Sequence, residues 1–374
     1  MSDKHTTIFT VMSALAQEHG AINLAQGFPG FASDRKLIDL AYSHMIDGAN
    51  QYAPMAGVLP LRQAISDKIF KQHQVRYEAA DEICVTAGAT EAVHVALQSV
   101  ISPGDEVILL EPAFDLYVAA IVQAGGIPKY VKLTFPGFEI DWNQVEAVVT
   151  SKTKALVINS PHNPTGTIIS KKDIRQLEAL ALRHDLWVIS DEVYEHMIYD
   201  GEHHESVIQS TVLRDRSFVV FSLGKTFHVT GWRLGYCVAP KHLMDAFKAV
   251  HQYVTFSAAT PLQLACATYL QEEHTYLDLA PFFQQKRDYF LEQMQDSGFE
   301  PLPCKGTYFQ LMSYAGRYTE DDVTLAKRLT VEMKVASIPV SVFHHDKQQQ
   351  QVLRFCFAKD HIDLKTAARN LGNF

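Results

Sequence analysis

The sequence predicts an α/β protein in which a mostly parallel sheet is wrapped by helices and followed by a smaller α+β part. Three observations predict it. Short apolar runs at 83–86, 106–111, 154–159, 186–190, 217–222 and 234–238 show no polar alternation, as strands buried on both faces do. Helical patterns lie between them: Val93, Ala96, Leu97 and Val100 share one face, and Ile174, Leu177 and Ala181 another. Strand–helix alternation of this kind builds a parallel sheet. After about residue 260 the pattern changes. A long helical stretch at 276–296 runs up to Gly298, and strands are expected at 307–312 and 352–357.

The chain has 374 residues, 47% of them hydrophobic, enough for a large core and two or three domains. Its formal net charge of -9 argues against a nucleic-acid partner. Cys84, Cys237, Cys266, Cys304 and Cys356 are odd in number and never spaced C-x-x-C, so reduced core thiols are expected, not disulfides or structural zinc. His203-His204 and His344-His345 read as surface loops, and no HExxH occurs, so no metal is expected. The glutamines at 348–351 read as a solvated loop. Residues 1–5 lack the basic-then-apolar pattern of a leader, and no run is long enough for a bilayer. A cytoplasmic location without membrane partners is expected.

Chemistry concentrates where strands end. Lys225 lies just past the run 217–222, followed by Arg233. Desolvation or a neighbouring cation lowers a lysine pKa and makes the amine a Schiff-base former. A loop lysine without a role is the equal alternative. Asp191 ends the run Leu186-Trp187-Val188-Ile189-Ser190, at the edge where open α/β sheets bind ligands. A carboxylate there can pair with a protonated ring nitrogen, and Tyr194 can reach the same ligand; capping of the next turn is the plainer reading. Asn163 sits in a rigid turn between Pro161 and Pro164, where its side chain could donate to an oxygen anion. Gly88, Ala89 and Thr90 join a strand to a helix N-terminus, which suits a phosphate. Arg354, inside an apolar strand, needs an anion: a substrate carboxylate or an internal Asp or Glu.

The ordered segments QGFPGF, NQYAPMAG, TAGATEA, NSPHNPTG, SDEVYEH, SLGKTFHVTGWRLGY and RFCFA together resemble the class I aminotransferases of pyridoxal-phosphate (PLP) fold type I. The likeness spans nearly the whole chain. It looks nearest to the methionine aminotransferases and the kynurenine transaminase / cysteine-S-conjugate β-lyase group, and extends to TTIFTVMSALAQ, VHQYVTFS and SIPVSVF. The resemblance implies a large PLP-binding domain at 37–276 with a seven-stranded sheet, and a small domain from 1–36 and 277–374.

It also implies roles. Lys225 carries the cofactor covalently and moves the proton at the substrate Cα. Asp191 keeps the pyridine nitrogen protonated. Asn163 and Tyr194 bind the ring hydroxyl oxygen, and Phe114 stacks on the ring. Gly88, Ala89, Thr90, Ser222 and Arg233 bind the phosphate. Tyr52 reaches the phosphate of a neighbouring subunit, so a homodimer with shared active sites is expected. Arg354 clamps the substrate α-carboxylate near the Gly27 backbone and Asn163. Phe28 and the neighbour's Phe256 line the side-chain pocket, with Phe9 a further member. Family members carry lysine or arginine at the position of Arg233, and position 114 here is Phe, which stacks as Tyr does.

The expected reaction moves an amino group from methionine or another large apolar or aromatic amino acid to a 2-oxo acid, with ping-pong kinetics. Phe28, Phe256 and Tyr308 suggest an apolar pocket, and no second cation stands out for an acidic side chain. The alternative is β-lyase or kynurenine transaminase activity at the same site. A regulator built on this fold is disfavoured: the aminotransferase-like pattern begins almost at residue 1, no helix-turn-helix precedes it, and the charge is negative.

Overall fold

A computed structural model describes residues 7–372. The N-terminal pentapeptide and the ends of the expected small domain, residues 1–6 and 373–374, lie outside the described residues. The larger sheet has seven strands: β1 (Ile83–Thr86), β2 (Glu106–Glu111), β3 (Ile127–Lys132), β4 (Thr153–Asn159), β5 (Trp187–Asp191), β6 (Ser217–Phe221) and β7 (Gly235–Val238). Their order in space is β1-β7-β6-β5-β4-β2-β3. Pairing is parallel from β6 across to β3, while β7 runs antiparallel to both β1 and β6.

The strands explain their own composition. Alternate residues feed two different cores: Ile108, Leu156, Ile158, Val188 and Val219 face one, while Val107, Leu109, Val157, Ile189 and Val220 face the other. Helices cover both faces, so neither set can be polar. β3 was not expected. It is an edge strand, its sequence Ile127-Pro128-Lys129-Tyr130-Val131-Lys132 is half polar, and only Val131 is buried.

A second sheet contains β8 (Glu300–Pro301), β9 (Phe309–Ser313), β10 (Ile338–Pro339) and β11 (Val352–Cys356), ordered β10-β11-β9-β8 and antiparallel throughout. Residues 22–30 attach both to a separate two-stranded sheet and to the end of β11 in this one. Ile22–Asn23 pairs in parallel with Val335–Ala336, Cys356 N donates to Leu24 O at 2.8 Å, and Gly30 N to Ala358 O at 2.8 Å. The single helix expected at 276–296 is two, His274–Leu277 and Leu279–Met294, with Asp278 between them.

His203 and His345 are exposed as expected, but the other member of each pair departs from expectation. His344 is fully buried under β2, close to Glu111, and His345 stacks on Tyr130 and donates its backbone N–H to Glu111. His204 Nε2 pairs with the buried Glu192 carboxylate at 2.7 Å. Polar neighbours in sequence did not reveal these buried carboxylate partners: Glu111 ends a strand 234 residues from His345, and Glu192 follows the end of β5. All five cysteines are buried and free. Among the described residues no helix is long and apolar enough to cross a membrane.

The sheet's winding fixes where a ligand can sit. From β4 the chain adds β5 and β6 in one direction, whereas β2 and β3 lie on the other side of β4. The connections after β2 and β4 therefore part company, leaving a crevice at the strand C-termini.

Candidate active site

That crevice holds a cavity of about 250 Å³. Asp191, the last residue of β5, is at its base and buried. Lys225 arrives from the next strand: β6 ends at Phe221, and the short helix Leu223–Thr226 is capped by Ser222, whose Oγ accepts from Lys225 N at 3.2 Å. The Lys225 ammonium donates to Gly27 O at 2.9 Å and to the Tyr308 hydroxyl at 2.7 Å. Burial pulls this ammonium down to about 8, and the positive charges of Arg354 and Arg233 add to the effect. At neutral pH a usable share of the amine is therefore unprotonated, as a nucleophilic lysine requires. Burial pushes the Asp191 carboxyl up to about 6, against the hydrogen bond donated by Tyr117 Oη to its Oδ2 at 2.6 Å.

One wall is built from the turn after β4. Asn159 Nδ2 donates to Asp191 O at 2.8 Å, and Asn159 Oδ1 accepts from Asn163 N at 2.8 Å, so one amide ties the strand end to the turn. Asn163 Oδ1 in turn accepts from Arg354 Nη1 at 2.6 Å. Arg354 comes from the middle of β11, is 1% exposed, and gives its Nη2 proton to Ala25 O at 3.1 Å. Phe309 lies 3.9 Å under the guanidinium. Arg354 Nε is buried without a partner among the described residues. No carboxylate hydrogen-bonds or ion-pairs with Arg354 among the described residues, so the internal-anion reading of this arginine fails. Burial draws Arg354 down to about 10, still charged at neutral pH.

At the other end, Gly88 caps the helix Ala89–Val100 with φ +87°, a conformation that favours glycine. A Cβ there would sit 2.6 Å from Arg233 Nη2, so the absent side chain is what admits the arginine. Arg233 Nη2 also reaches Thr90 Oγ1 at 3.5 Å. Ala89, Thr90, Ser222 and Arg233 all line the cavity, and together they offer helix-terminal N–H groups, hydroxyls and a cation to a phosphate. Phe114 caps the helix Asp115–Gln123 and presents its ring to the cavity, with Phe9 against it at 6.3 Å.

Thus Lys225, Asp191, Tyr194, Ala89, Thr90, Phe114, Asn163, Ser222, Arg233, Gly27, Arg354 and Phe9 converge on one cavity. Gly88 stands directly behind it. Tyr52, Phe256 and Phe28 do not reach it within one chain. Tyr52 is 86% exposed and meets Phe256 edge-on at 5.5 Å, while Phe28, 43% exposed, lies beneath the Lys359 ammonium at 4.3 Å. Three contributors were missed from sequence: Tyr117, Asn159 and Phe309. Tyr117 lies three residues past Phe114 on the same helix face, a detectable signal. Asn159 opens the quoted NSPHNPTG segment. Phe309 gave none, because its role depends on the pairing of β9 with β11.

A lysine amine and a buried carboxylate lining one cavity, a phosphate cradle and a guanidinium that no carboxylate pairs with among the described residues define a site for a phosphorylated heterocyclic cofactor with an aldehyde. The donor set fits PLP: Gly88 lets the Arg233 cation close on the helix N-terminus, and Arg354 Nε lacks an acceptor among the described residues. The chain belongs to the family of class I and II aminotransferases, which it matches over residues 20–371, and its cofactor is pyridoxal 5'-phosphate. Among its relatives, methionine aminotransferase of Escherichia coli is 46% identical over 98% of this chain and 95% of its own length. Kynurenine–oxoglutarate transaminase of Dictyostelium discoideum is 34% identical over 98% and 93%. The solved structure of YbdL from E. coli, reported with a methionine aminotransferase function, superposes with a TM-score of 0.96 at 45% identity, covering 100% of this chain and 99% of that one. N-succinyldiaminopimelate aminotransferase of Mycobacterium tuberculosis gives 0.95 at 34% identity, covering 99% and 97%.

Proposed function

We propose that this aminotransferase takes its amino group from methionine or another large apolar or aromatic amino acid and passes it to a 2-oxo acid in two half-reactions at one site. The observation that carries the proposal is the convergence of Lys225, Asp191 and Arg354 on a single cavity whose walls include the rings of Phe9, Phe114 and Phe309.

When bound, the cofactor supplies an aldehyde carbon that captures amines and a ring that withdraws electrons from the substrate Cα. The remaining work belongs to the chain. Lys225 carries the cofactor, then takes and returns the Cα proton; its depressed pKa lets the amine act as a base near neutral pH. Asp191 holds the ring nitrogen protonated. Asn163 and Tyr194 bind the ring hydroxyl oxygen, and Phe114 covers one ring face. Gly88, Ala89, Thr90, Ser222 and Arg233 grip the phosphate. Arg354 offers Nε, and Nη1 shared with Asn163, to the substrate carboxylate, which fixes the Cα–H direction. Gly27, whose carbonyl already restrains Lys225, borders the substrate.

The proposal includes a cytoplasmic homodimer. Tyr52 and Phe256 form an exposed aromatic pair, suited to reaching the neighbouring subunit's phosphate and side-chain pocket, with Phe28 at its rim. It also includes a division into a large domain at 37–276 and a small one from 1–36 and 277–374. Leu37 and Tyr276 belong to the core around the seven-stranded sheet, and Leu279 to the core of the second sheet.

A single-turnover panel of amino donors, read by the change in cofactor absorbance, tests the specificity. Methionine and aromatic donors are expected to react fastest; a clear preference for aspartate or glutamate overturns the assignment. The second reading, β-lyase or kynurenine transaminase activity, is favoured by the kinship with the Dictyostelium enzyme and by the common need for Cα proton removal. Release of pyruvate and thiol from a cysteine S-conjugate without any oxo acid supports the lyase; transamination alone removes it.

A further inference from the structure

Asp191 has two oxygens, and the fold treats them differently. Oδ2 receives the Tyr117 hydroxyl at 2.6 Å, a short and buried bond. Among the described residues Oδ1 receives only Val193 N, at 3.3 Å. Tyr117 is 3% exposed and its ring is locked edge-on against Phe114, one turn earlier on the same helix, at 5.9 Å. Resting on the role proposed above for Asp191, we propose that Tyr117 is a positioning residue which occupies Oδ2 and thereby dedicates Oδ1 to the cofactor's ring nitrogen.

The choice of a phenol has a physical logic. A buried carboxylate that must stay ionised needs a donor, or it protonates or rotates. A lysine or arginine in this place would supply one, but its charge would neutralise the carboxylate that the ring nitrogen needs. Tyr117 donates one hydrogen bond and no charge. Burial raises its own ionisation well above the usual phenol range, so it remains a donor at every working pH. The helix Asp115–Gln123 thus serves the ring twice: Phe114 lies against its face and Tyr117 sets the acid behind its nitrogen. Tyr117 and Asn159 also form the wall between this site and an adjoining cavity of about 490 Å³.

The test compares binding of pyridoxal phosphate with binding of its 1-deaza analogue, in which CH replaces the ring nitrogen, to wild-type and Tyr117→Phe apoprotein. Wild type is expected to prefer the natural cofactor. Tyr117→Phe is expected to weaken pyridoxal phosphate by about tenfold, the worth of one hydrogen bond to a charged group, while the analogue changes less than about twofold. In an Asp191→Asn background the same substitution is expected to leave both affinities unchanged, which also controls for a folding defect. An equal loss for both ligands means a merely structural role and overturns the inference, as does full discrimination retained in Tyr117→Phe. If wild type itself does not discriminate, the role of Asp191 fails, and this inference with it.

Discussion

Arg354 donates to Asn163 Oδ1 at 2.6 Å across 191 residues of chain, and this bond ties β11 of the second sheet to the turn that follows β4 of the first. It holds the guanidinium on Asn163 while Nε stays without an acceptor among the described residues. Replacing Arg354 with Ala is expected to raise KM for amino donors, lowering kcat/KM on the order of 100-fold or more, with cofactor still bound. Arg354→Lys is expected to recover only part of the loss, since an ammonium cannot keep Asn163 and a carboxylate in one fork. Steady-state kinetics beside the visible absorbance of the bound cofactor check this; cofactor loss in Arg354→Ala would mean the residue serves the cofactor instead.

Lys225 should set the pH dependence of cofactor capture. Its ammonium is depressed to about 8, so the nucleophilic amine grows as pH rises towards and through 8. The rate of reconstitution of apoprotein with pyridoxal phosphate is expected to increase across pH 7 to 9 with a midpoint near 8. The same shift has a stability consequence. Between about 8 and 10.5 the unfolded chain holds a proton on this lysine that the folded apoprotein has lost, so this group adds stability as pH rises through that window. Stopped-flow absorbance measures the first effect, and a flat profile would show that another step limits capture.

Three residues past Asp191 along the chain comes Tyr194, and next to it the buried ion pair of Glu195 with Lys68, which also donates to Tyr236 Oη at 3.1 Å. The Lys68 charge, with His196, holds the Glu195 carboxyl far below its usual range against the cost of burial. Its stabilising contribution is present above the unfolded value of about 4.5 and is lost as pH falls through the folded value. Lys68→Met strands a buried carboxylate and is expected to cost about 3–5 kcal/mol, whereas Lys68→Met/Glu195→Leu is expected to cost much less. Urea unfolding of both variants at pH 7 distinguishes them.

Much of the site was readable because its residues sit at strand ends. Asp191, Asn163 and Lys225 each follow an apolar run, and one fold rule places all such ends on one edge. What stayed hidden depends on contacts across the chain. Tyr117 meets Asp191 only because β2 and β5 flank β4. His344 looked solvated because its burial is decided by the turn against Glu111. β3 escaped notice because an edge strand tolerates Pro128 and two lysines. Phe28 carries an aromatic ring beside Gly27, yet the ring turns to Lys359 and away from the cavity.

The covalent attachment point is the most direct test of the whole account. Holoprotein reduced with borohydride, digested and analysed by mass spectrometry is expected to carry the phosphopyridoxyl group on the peptide containing Lys225, and Lys225→Ala to carry none. A label on another lysine, or a reducible linkage that persists in Lys225→Ala, would contradict it.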